Sequence, residues 1–321
     1  MRNSSSLLPK ISILPSPRNC CQRVGVKVTS FVVSQEKSRV LSWSRDLIAL
    51  TKPRLSLLVL LTTAVGMFLA PKNASMRPWQ SLLALVSVAL VVGAANAMNC
   101  YFEIHEDAQM QRTRLRPLPA GRLDANWALA IGLGAPLLAL PILAVTANVL
   151  SACLTLLAYG SYVYLYTPLK KYSPWALLVG AIPGALPPTI GYTAIAQVLE
   201  PPALVLFAIL FFWQLPHFLA ISVYAQSDYQ KAGFKTVPIA YGRRKTHYAM
   251  LSCLILQIGA SLLPLSLEKV QPLYGVWALV LGFTFLAIYL RTKILHDNHR
   301  PIFFASIIYL PLLLLGLIVA W

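Results

Sequence analysis

Asn99, Glu103 and Asp107 stand four residues apart, and Arg112, Arg114 and Arg116 follow them almost at once. On a helix, a step of four residues climbs one turn and swings about 40°, so these three oxygen-bearing side chains share one face over roughly 12 Å of axis. Acids are scarce in this chain. It has ten Asp and Glu in 321 residues, and Glu103, Glu106 and Asp107 fall within five positions. Two carboxylates and an amide on one face suit a hard cation such as Mg²⁺, which takes oxygen ligands. Arginines just beyond suit phosphate, which they grip in a planar fork. The pattern implies a site that holds a metal ion and a diphosphate. His105 lies within the motif but points away from the Asn99 face.

A second polar cluster runs from Trp213-Gln-Leu-Pro-His217 through Tyr224 to Asp228 and Lys235. Asp228 is the sole acid of its loop and follows an apolar run, as Asp107 does. Two such loops on one side of a membrane would bring acids together from opposite walls. Asp228 would equally serve as the cap of a short helix. His217 sits inside an apolar run, where an ionisable group is a functional candidate by default, although a neutral His bonded to a neighbouring helix fits as well. Lys170 and Lys171 occupy a third loop; lysines at a membrane edge commonly snorkel to the headgroups. The stretch from Gly180 to Gly191 carries Pro183, Pro187 and Pro188 among its glycines. It predicts a broken or kinked helix, and hence a protein-lined cavity to satisfy the freed backbone. His296 and His299 have a spacing that could bind a metal, but in a polar turn they read as a solvated pair.

The elements that must position these groups are membrane spans. Hydrophobic residues make up 57% of the chain and charged residues 12%, half the charge of a soluble domain. Nine apolar runs are long enough to cross a bilayer: about 47–69, 80–101, 127–145, 147–166, 175–195, 201–224, 246–265, 273–291 and 301–321. The connections near 145 and 200 are very short, so the expected fold is an all-α integral membrane bundle of nine transmembrane helices around a central cavity. The net charge of +17 invites a nucleic-acid reading, but its distribution refuses it. Of the 27 Lys and Arg, 24 precede or open the first span or lie in or around loops of one parity; the remainder are Lys72, Arg77 and Lys269. That is the positive-inside pattern of a polytopic protein. It places the N-terminus and the acid-bearing loops in the cytoplasm or the mitochondrial matrix.

Residues 1–45 differ in composition. Seven serines and five basic residues precede Glu36, the first acid. This resembles a mitochondrial transit peptide, although the early prolines Pro9, Pro15 and Pro17 spoil an amphipathic helix and a disordered bacterial tail fits too. A bacterial cytoplasmic membrane is the expected home, with the mitochondrial inner membrane the alternative. Residues 46–321 form the expected intramembrane domain. The five cysteines, two adjacent in the tail and three scattered through apolar runs, show no metal-ligand spacing.

The run from Asn99 to Asp107, followed by the arginines and Pro117-Leu118, resembles the first motif of the UbiA superfamily of intramembrane prenyltransferases. Thr51-Lys-Pro-Arg54, Tyr166-Thr-Pro-Leu-Lys-Lys171, Gly184 to Tyr192, and Trp213 to His217 with Asp228 to Gly233 resemble its haem-farnesylating branch, in order over about residues 45–321. The resemblance implies a reaction that joins farnesyl diphosphate to the vinyl group of haem B, adds water, and yields haem O. In it, Asn99, Glu103, Asp107 and Asp228 hold Mg²⁺. Arg112, Arg116, Lys170 and Lys171 neutralise the diphosphate, with Lys52, Arg54 and Lys235 as further candidates, and His217 orients haem or the attacking water. Implied partners are the two substrates, the bilayer and a haem A synthase downstream, with no nucleic acid. In relatives the second motif has two acids; here Tyr224 and Ser227 occupy such places and Asp228 stands alone. A quinone precursor or chlorophyll-type acceptor is the rival within the superfamily. A transporter binding an anion at mid-membrane is the rival outside it, disfavoured because the acids cluster at one face.

Overall fold

The computed structural model describes residues 42–71, 76–295 and 300–321. The basic serine-rich extension up to residue 41, and the His296/His299 pair, lie outside the described residues. Asp46–Trp321 form one compact unit.

The chain is a succession of helices: α1 Ser42–Leu50, α2 Pro53–Leu69, α3 Pro78–Phe102, α4 Ile104–Gln109, α5 Ala125–Thr146 and α6 Val149–Gly160. A π-helical turn at Ser161–Tyr166 leads into α7 Thr167–Tyr172. Then come α8 Ala176–Ala196, α9 Pro201–Tyr224, α10 Gln226–Lys231, α11 Val237–Leu262, α12 Leu273–Leu295 and α13 Arg300–Ala320. Among the described residues, eight helices are long and apolar enough to cross a membrane, and nine if α1 and α2, bent by 47° at their junction, count as one span. Their outward faces are apolar: Val145, Val319 and Leu137 are 85%, 81% and 78% exposed. Such side chains facing outward along whole helices require lipid, so this is a multi-pass membrane protein.

Local sequence accounts for the starts. Pro53, Pro78 and Pro201 open α2, α3 and α9, where the missing N–H costs nothing and φ is already helical. Asp124 caps α5 by accepting from the Asn126 N–H at 2.8 Å, and Asn148 caps α6 by accepting from the Ser151 N–H at 2.7 Å. That second cap lets the chain turn from α5 to α6 through Ala147 and Asn148 alone.

Helices α2, α3, α5, α6 and α8 pack in a closed cycle; α9, α11, α12 and α13 make a second. The α8–α9 and α2–α13 contacts join them. Of the two forms the sequence reading allowed for the proline-rich α8, broken or kinked, the structure removes the break. The helix runs unbroken from Ala176 to Ala196 with Pro183, Pro187 and Pro188 inside, and it is the most buried of the spans. Its small residues serve close packing. A Cβ at Gly191 would fall on the Thr63 carbonyl of α2, and a Cβ at Gly66 on the Pro188 carbonyl of α8. Two helices whose backbones touch need glycine at the crossing. The irregular backbone lies one span earlier, in the π turn. That turn extends the fourth span to Tyr172, beyond the end near 166 that the apolar run indicates. The seventh span starts earlier than expected, at Val237, with a break at Gly242 (φ 74°). That left-handed φ favours glycine, and the basic residues after it hide the helix from a hydropathy reading. A groove of about 350 Å³ lined by Tyr164, Pro168, Tyr172 and Val179, among others, opens beside α7; its lining holds none of the acids.

Candidate active site

The face predicted for Asn99, Glu103 and Asp107 exists, although one helix does not carry it. The span ends at Phe102, Glu103 is a junction with φ −108° and ψ 18°, and α4 starts at Ile104. Hydrogen bonding bridges the break: the Glu103 N–H donates to the Asn99 carbonyl at 3.1 Å and the Asp107 N–H to the Glu103 carbonyl at 2.7 Å. These four-residue steps keep the three side chains in line, and all three are buried. His105 is exposed, as its position on the opposite side requires.

Cations from other segments answer each member of this row. The Lys52 Nζ donates to Asn99 Oδ1 at 2.6 Å. Lys170 forms an ion pair with Glu103, and Lys171 pairs with Glu106 at 2.6 Å. Arg116 reaches Asp107 Oδ2 at 2.7 Å. Lys52 can do this because it takes the left-handed conformation (φ 48°) at the bend between α1 and α2. The Thr51 carbonyl there accepts from the Asn96 amide at 3.2 Å. A non-glycine residue in that conformation is strained, and the strain sits at the site. Burial weakens the charged form of Arg116, but the Asp107 charge and hydrogen bond outweigh it and hold the guanidinium above arginine's ordinary value. The Thr113 hydroxyl donates to the Asp107 carbonyl at 2.9 Å and folds the arginine loop back onto α4.

Three loops of the same parity meet here. The Lys235 N–H donates to the Lys170 carbonyl at 3.1 Å. Met110, Ala232 and Phe234 form a small apolar cluster between the arginine loop and the segment after α10. Lys170 lies 4.9 Å from the centre of the Tyr166 ring and 5.3 Å from that of Phe234. Arg112 lies 5.9 Å from the Tyr229 ring.

The remaining acceptors bear on whether a metal ion fits. Asp107 Oδ1 and Glu106 Oε2 are buried without a hydrogen-bond partner. A buried acceptor left unpaired costs about 1–3 kcal/mol, more when charged. Such oxygens, with the Asn99 amide, are the donor type that a hard divalent cation takes. The donor set therefore fits Mg²⁺ in kind. It is not gathered as a finished cage: among the described residues no three His, Cys, Asp or Glu side chains come close enough to hold a metal. The protein's own lysines and arginine occupy the acids instead.

Other expected residues stand apart from this row. Asp228 lies in α10, half-buried. Its helix is tied to the site through Tyr229 and Phe234, while no hydrogen bond or ion pair among the described residues holds its carboxylate. Arg54, Arg112 and Lys235 are exposed at the rim. His217 is not brought to the acids: it bonds Ser306 of α13 at 2.7 Å and stacks between Trp213 and Phe303. Two residues escaped the sequence reading. Thr167 accepts from the Asn99 amide at 3.3 Å while donating to the Tyr162 carbonyl at 2.8 Å. It is aimed there by the π turn, whose five-residue spacing leaves no trace in an apolar pattern. Glu106 was visible only as one of several acids, and its role depends on Lys171, 65 positions away in sequence.

A polytopic helical bundle with acids and cations interleaved at one end is the class that fold and site define. The UbiA prenyltransferase family model matches residues 59–316, and the chain belongs to that family of prenyl-transferring enzymes. It is similar to a protoheme IX farnesyltransferase of Anaeromyxobacter sp. (strain Fw109-5), 45% identical over 86% of this chain and 94% of the relative. It is similar to one of Myxococcus xanthus (strain DK1622), 45% identical over 83% and 90%. A solved digeranylgeranylglyceryl phosphate synthase shares the fold with TM-score 0.69 at 20% identity, over 86% of this chain and 97% of that one. A UbiA homologue from Archaeoglobus fulgidus bound to DMAPP and Mg²⁺ matches with TM-score 0.62 at 19% identity, over 85% and 99%.

Proposed function

We propose that this enzyme transfers the farnesyl group of farnesyl diphosphate to the 2-vinyl group of haem B, with addition of water, giving haem O and diphosphate. The observation that carries the reading is the row of Asn99, Glu103, Glu106 and Asp107 interleaved with Lys52, Lys170, Lys171 and Arg116 at one end of an apolar bundle. A substrate with a fifteen-carbon tail and a strongly anionic head needs both surroundings at once. The names of the relatives support the acceptor.

Asn99, Glu103 and Asp107, with Asp228 from the facing loop, would hold Mg²⁺. Bound there, the ion supplies positive charge that weakens the leaving group's hold on the allylic carbon. The chain's own cations do the rest of the neutralising. Lys170, Lys171 and Arg116 already stand on the acids, so an arriving diphosphate offers each of them a second anionic partner within a short side-chain swing. Arg112, Arg54 and Lys235 at the rim draw the anion in through water. As the allylic C–O bond breaks, negative charge grows on the diphosphate, and the surrounding ammonium and guanidinium groups stabilise it there. The vinyl π electrons form the new C–C bond to the farnesyl carbon. Water then adds to the resulting cation on the side chain and loses a proton. The apolar spans keep water away until that point.

On this reading the acid-bearing end faces the cytoplasm or the matrix, and an enzyme that oxidises haem O further, a haem A synthase, receives the product. The test is incubation of the purified full chain in lipid nanodiscs with haem B, farnesyl diphosphate and Mg²⁺. Haem O detected by mass, lost on adding EDTA and restored by excess Mg²⁺, is the expected result. Release of diphosphate onto another acceptor with no haem O would overturn the haem assignment.

A further inference from the structure

Away from the acids, α9 and α13 share a ladder of nearly parallel rings. Trp213 stacks on His217 with centroids 5.0 Å apart and 17° between planes. His217 stacks on Phe303 at 5.5 Å and 23°, and Phe303 on Tyr224 at 6.1 Å and 7°. The exposed Arg300 guanidinium lies 5.6 Å from the Tyr224 ring at the end nearest the Asp228 loop. Stacked on both faces, the imidazole cannot turn, so its one accessible feature is its edge.

The hydrogen bonds at that edge set its chemistry. The Ser306 hydroxyl has one proton, which it donates to the Phe303 carbonyl at 2.6 Å. Its oxygen is therefore the acceptor toward His217 Nδ1, 2.7 Å away. With the Ser306 proton on the Phe303 carbonyl, Nδ1 carries the imidazole proton and Nε2 is left with a lone pair. Nε2 has no hydrogen-bond partner among the described residues. A neutral His whose Nδ1–H is anchored and whose Nε2 is bare is the arrangement that binds a metal. In the haem-farnesylating reading, on which this inference rests, the metal arrives inside the substrate.

We propose that His217 Nε2 is an axial ligand to the iron of the haem acceptor, and that Arg300 meets the acceptor's carboxylates at the mouth of the ladder. An axial Fe–N bond lies in the imidazole plane, so the macrocycle stands perpendicular to that ring. Trp213 and Phe303, within 23° of parallel to the imidazole, then meet the macrocycle edge-on, the geometry aromatic pairs favour. His217 lies seven residues before Tyr224, about 10 Å along the helix from its end. The porphyrin would thus hang below the acid-bearing loops with one rim toward them. Ser306 is a positioning residue that acts through His217.

The experiment titrates the purified full chain in nanodiscs with ferric haem B and, separately, with metal-free protoporphyrin IX. The wild type is expected to show the Soret band and EPR signature of nitrogen-ligated ferric haem. His217→Ala should lose that signature and bind haem about a hundredfold more weakly, and Ser306→Ala about tenfold more weakly. Added imidazole should restore the spectrum of His217→Ala. Affinity for metal-free protoporphyrin should be unchanged in both variants and reduced in Arg300→Ala. An unaltered haem spectrum and affinity in His217→Ala, with haem O still formed by the wild type, overturns the ligand while leaving the proposed reaction standing. Equal weakening of haem and protoporphyrin in His217→Ala overturns it as well, by marking the residue as structural. A wild type that binds neither porphyrin removes the acceptor reading itself.

Discussion

The first motif and the second motif occupy equivalent places in the chain, each just after an even-numbered span, yet the structure furnishes them in opposite ways. Around Asn99–Asp107, every acid meets a cation, Glu103 and Glu106 one from the distant α7 and Asp107 one from the loop just after it, and the carboxylates of Glu103 and Asp107 are almost wholly buried. Around Asp228, the acid is half-buried with no hydrogen bond or ion pair to its carboxylate among the described residues, and the neighbouring span offers stacked rings. One wall is thus a neutralised charge lattice that must exchange partners to bind anything. The other is a lone acid beside a flat aromatic surface. The contrast suggests a division of labour, with the leaving group handled by the first wall together with Asp228, and the acceptor by the stacked rings beside it.

Charge substitutions test that division most severely. Asp107→Asn is expected to lower kcat/KM by about a thousandfold, the upper range for one electrostatic contact to developing charge. It should also cost about 1–3 kcal/mol of stability, because Arg116 is left half-buried without its anion. Steady-state kinetics with thermal unfolding in nanodiscs reads both. Asp228→Asn should lower kcat/KM by about a hundredfold, with the melting temperature unchanged, since no hydrogen bond or ion pair among the described residues holds its carboxylate. Comparable loss of stability in Asp228→Asn would break the contrast.

Smaller effects sharpen it. Lys170→Met leaves the Glu103 charge buried and unpaired. It should raise the KM for farnesyl diphosphate by about tenfold or more while the KM for haem stays put. A shift in the haem KM alone would show that the walls are not separate. Thr167→Val removes one hydrogen bond to Asn99 and should cost at most about a factor of ten in kcat/KM, from roughly 0.5–1.5 kcal/mol. An effect as large as that of Asp107→Asn would make the π turn part of the chemistry. Without added divalent metal, all these variants should fall to the same residual rate, measured after EDTA treatment.

Much of this was readable in advance, and the failures have physical reasons. The nine-span count and the grouping of the cationic loops follow from run length and charge parity, which depend on the bilayer and little on packing. The row from Asn99 to Asp107 was legible because a four-residue step survives even the break at Glu103. The break allowed for α8 does not occur, because proline and glycine look alike in sequence whether they break a helix or let another helix touch it. Gly66 and Gly191 take their meaning from Pro188 and Thr63, which are far off in sequence. For His217 the sequence offered a role toward haem or water beside a bond to a neighbouring helix; Ser306 and Phe303, 89 and 86 positions away, supply that helix contact, and no local pattern could name them.

The sequence by itself determined the membrane class, the spans, the loops that carry charge and the residue types available to a metal and a diphosphate. These are local properties, set by hydrophobic run length, helical period and the scarcity of acids. Only the tertiary structure decided which cation answers which acid, that Lys52 reaches Asn99 from a strained bend, and that His217 bonds Ser306 within a ring ladder. Apart from the Arg116–Asp107 pair, nine residues apart, those facts depend on segments dozens of residues apart meeting at fixed distances, and side-chain pairing of that kind is created by packing, which no single stretch of sequence encodes.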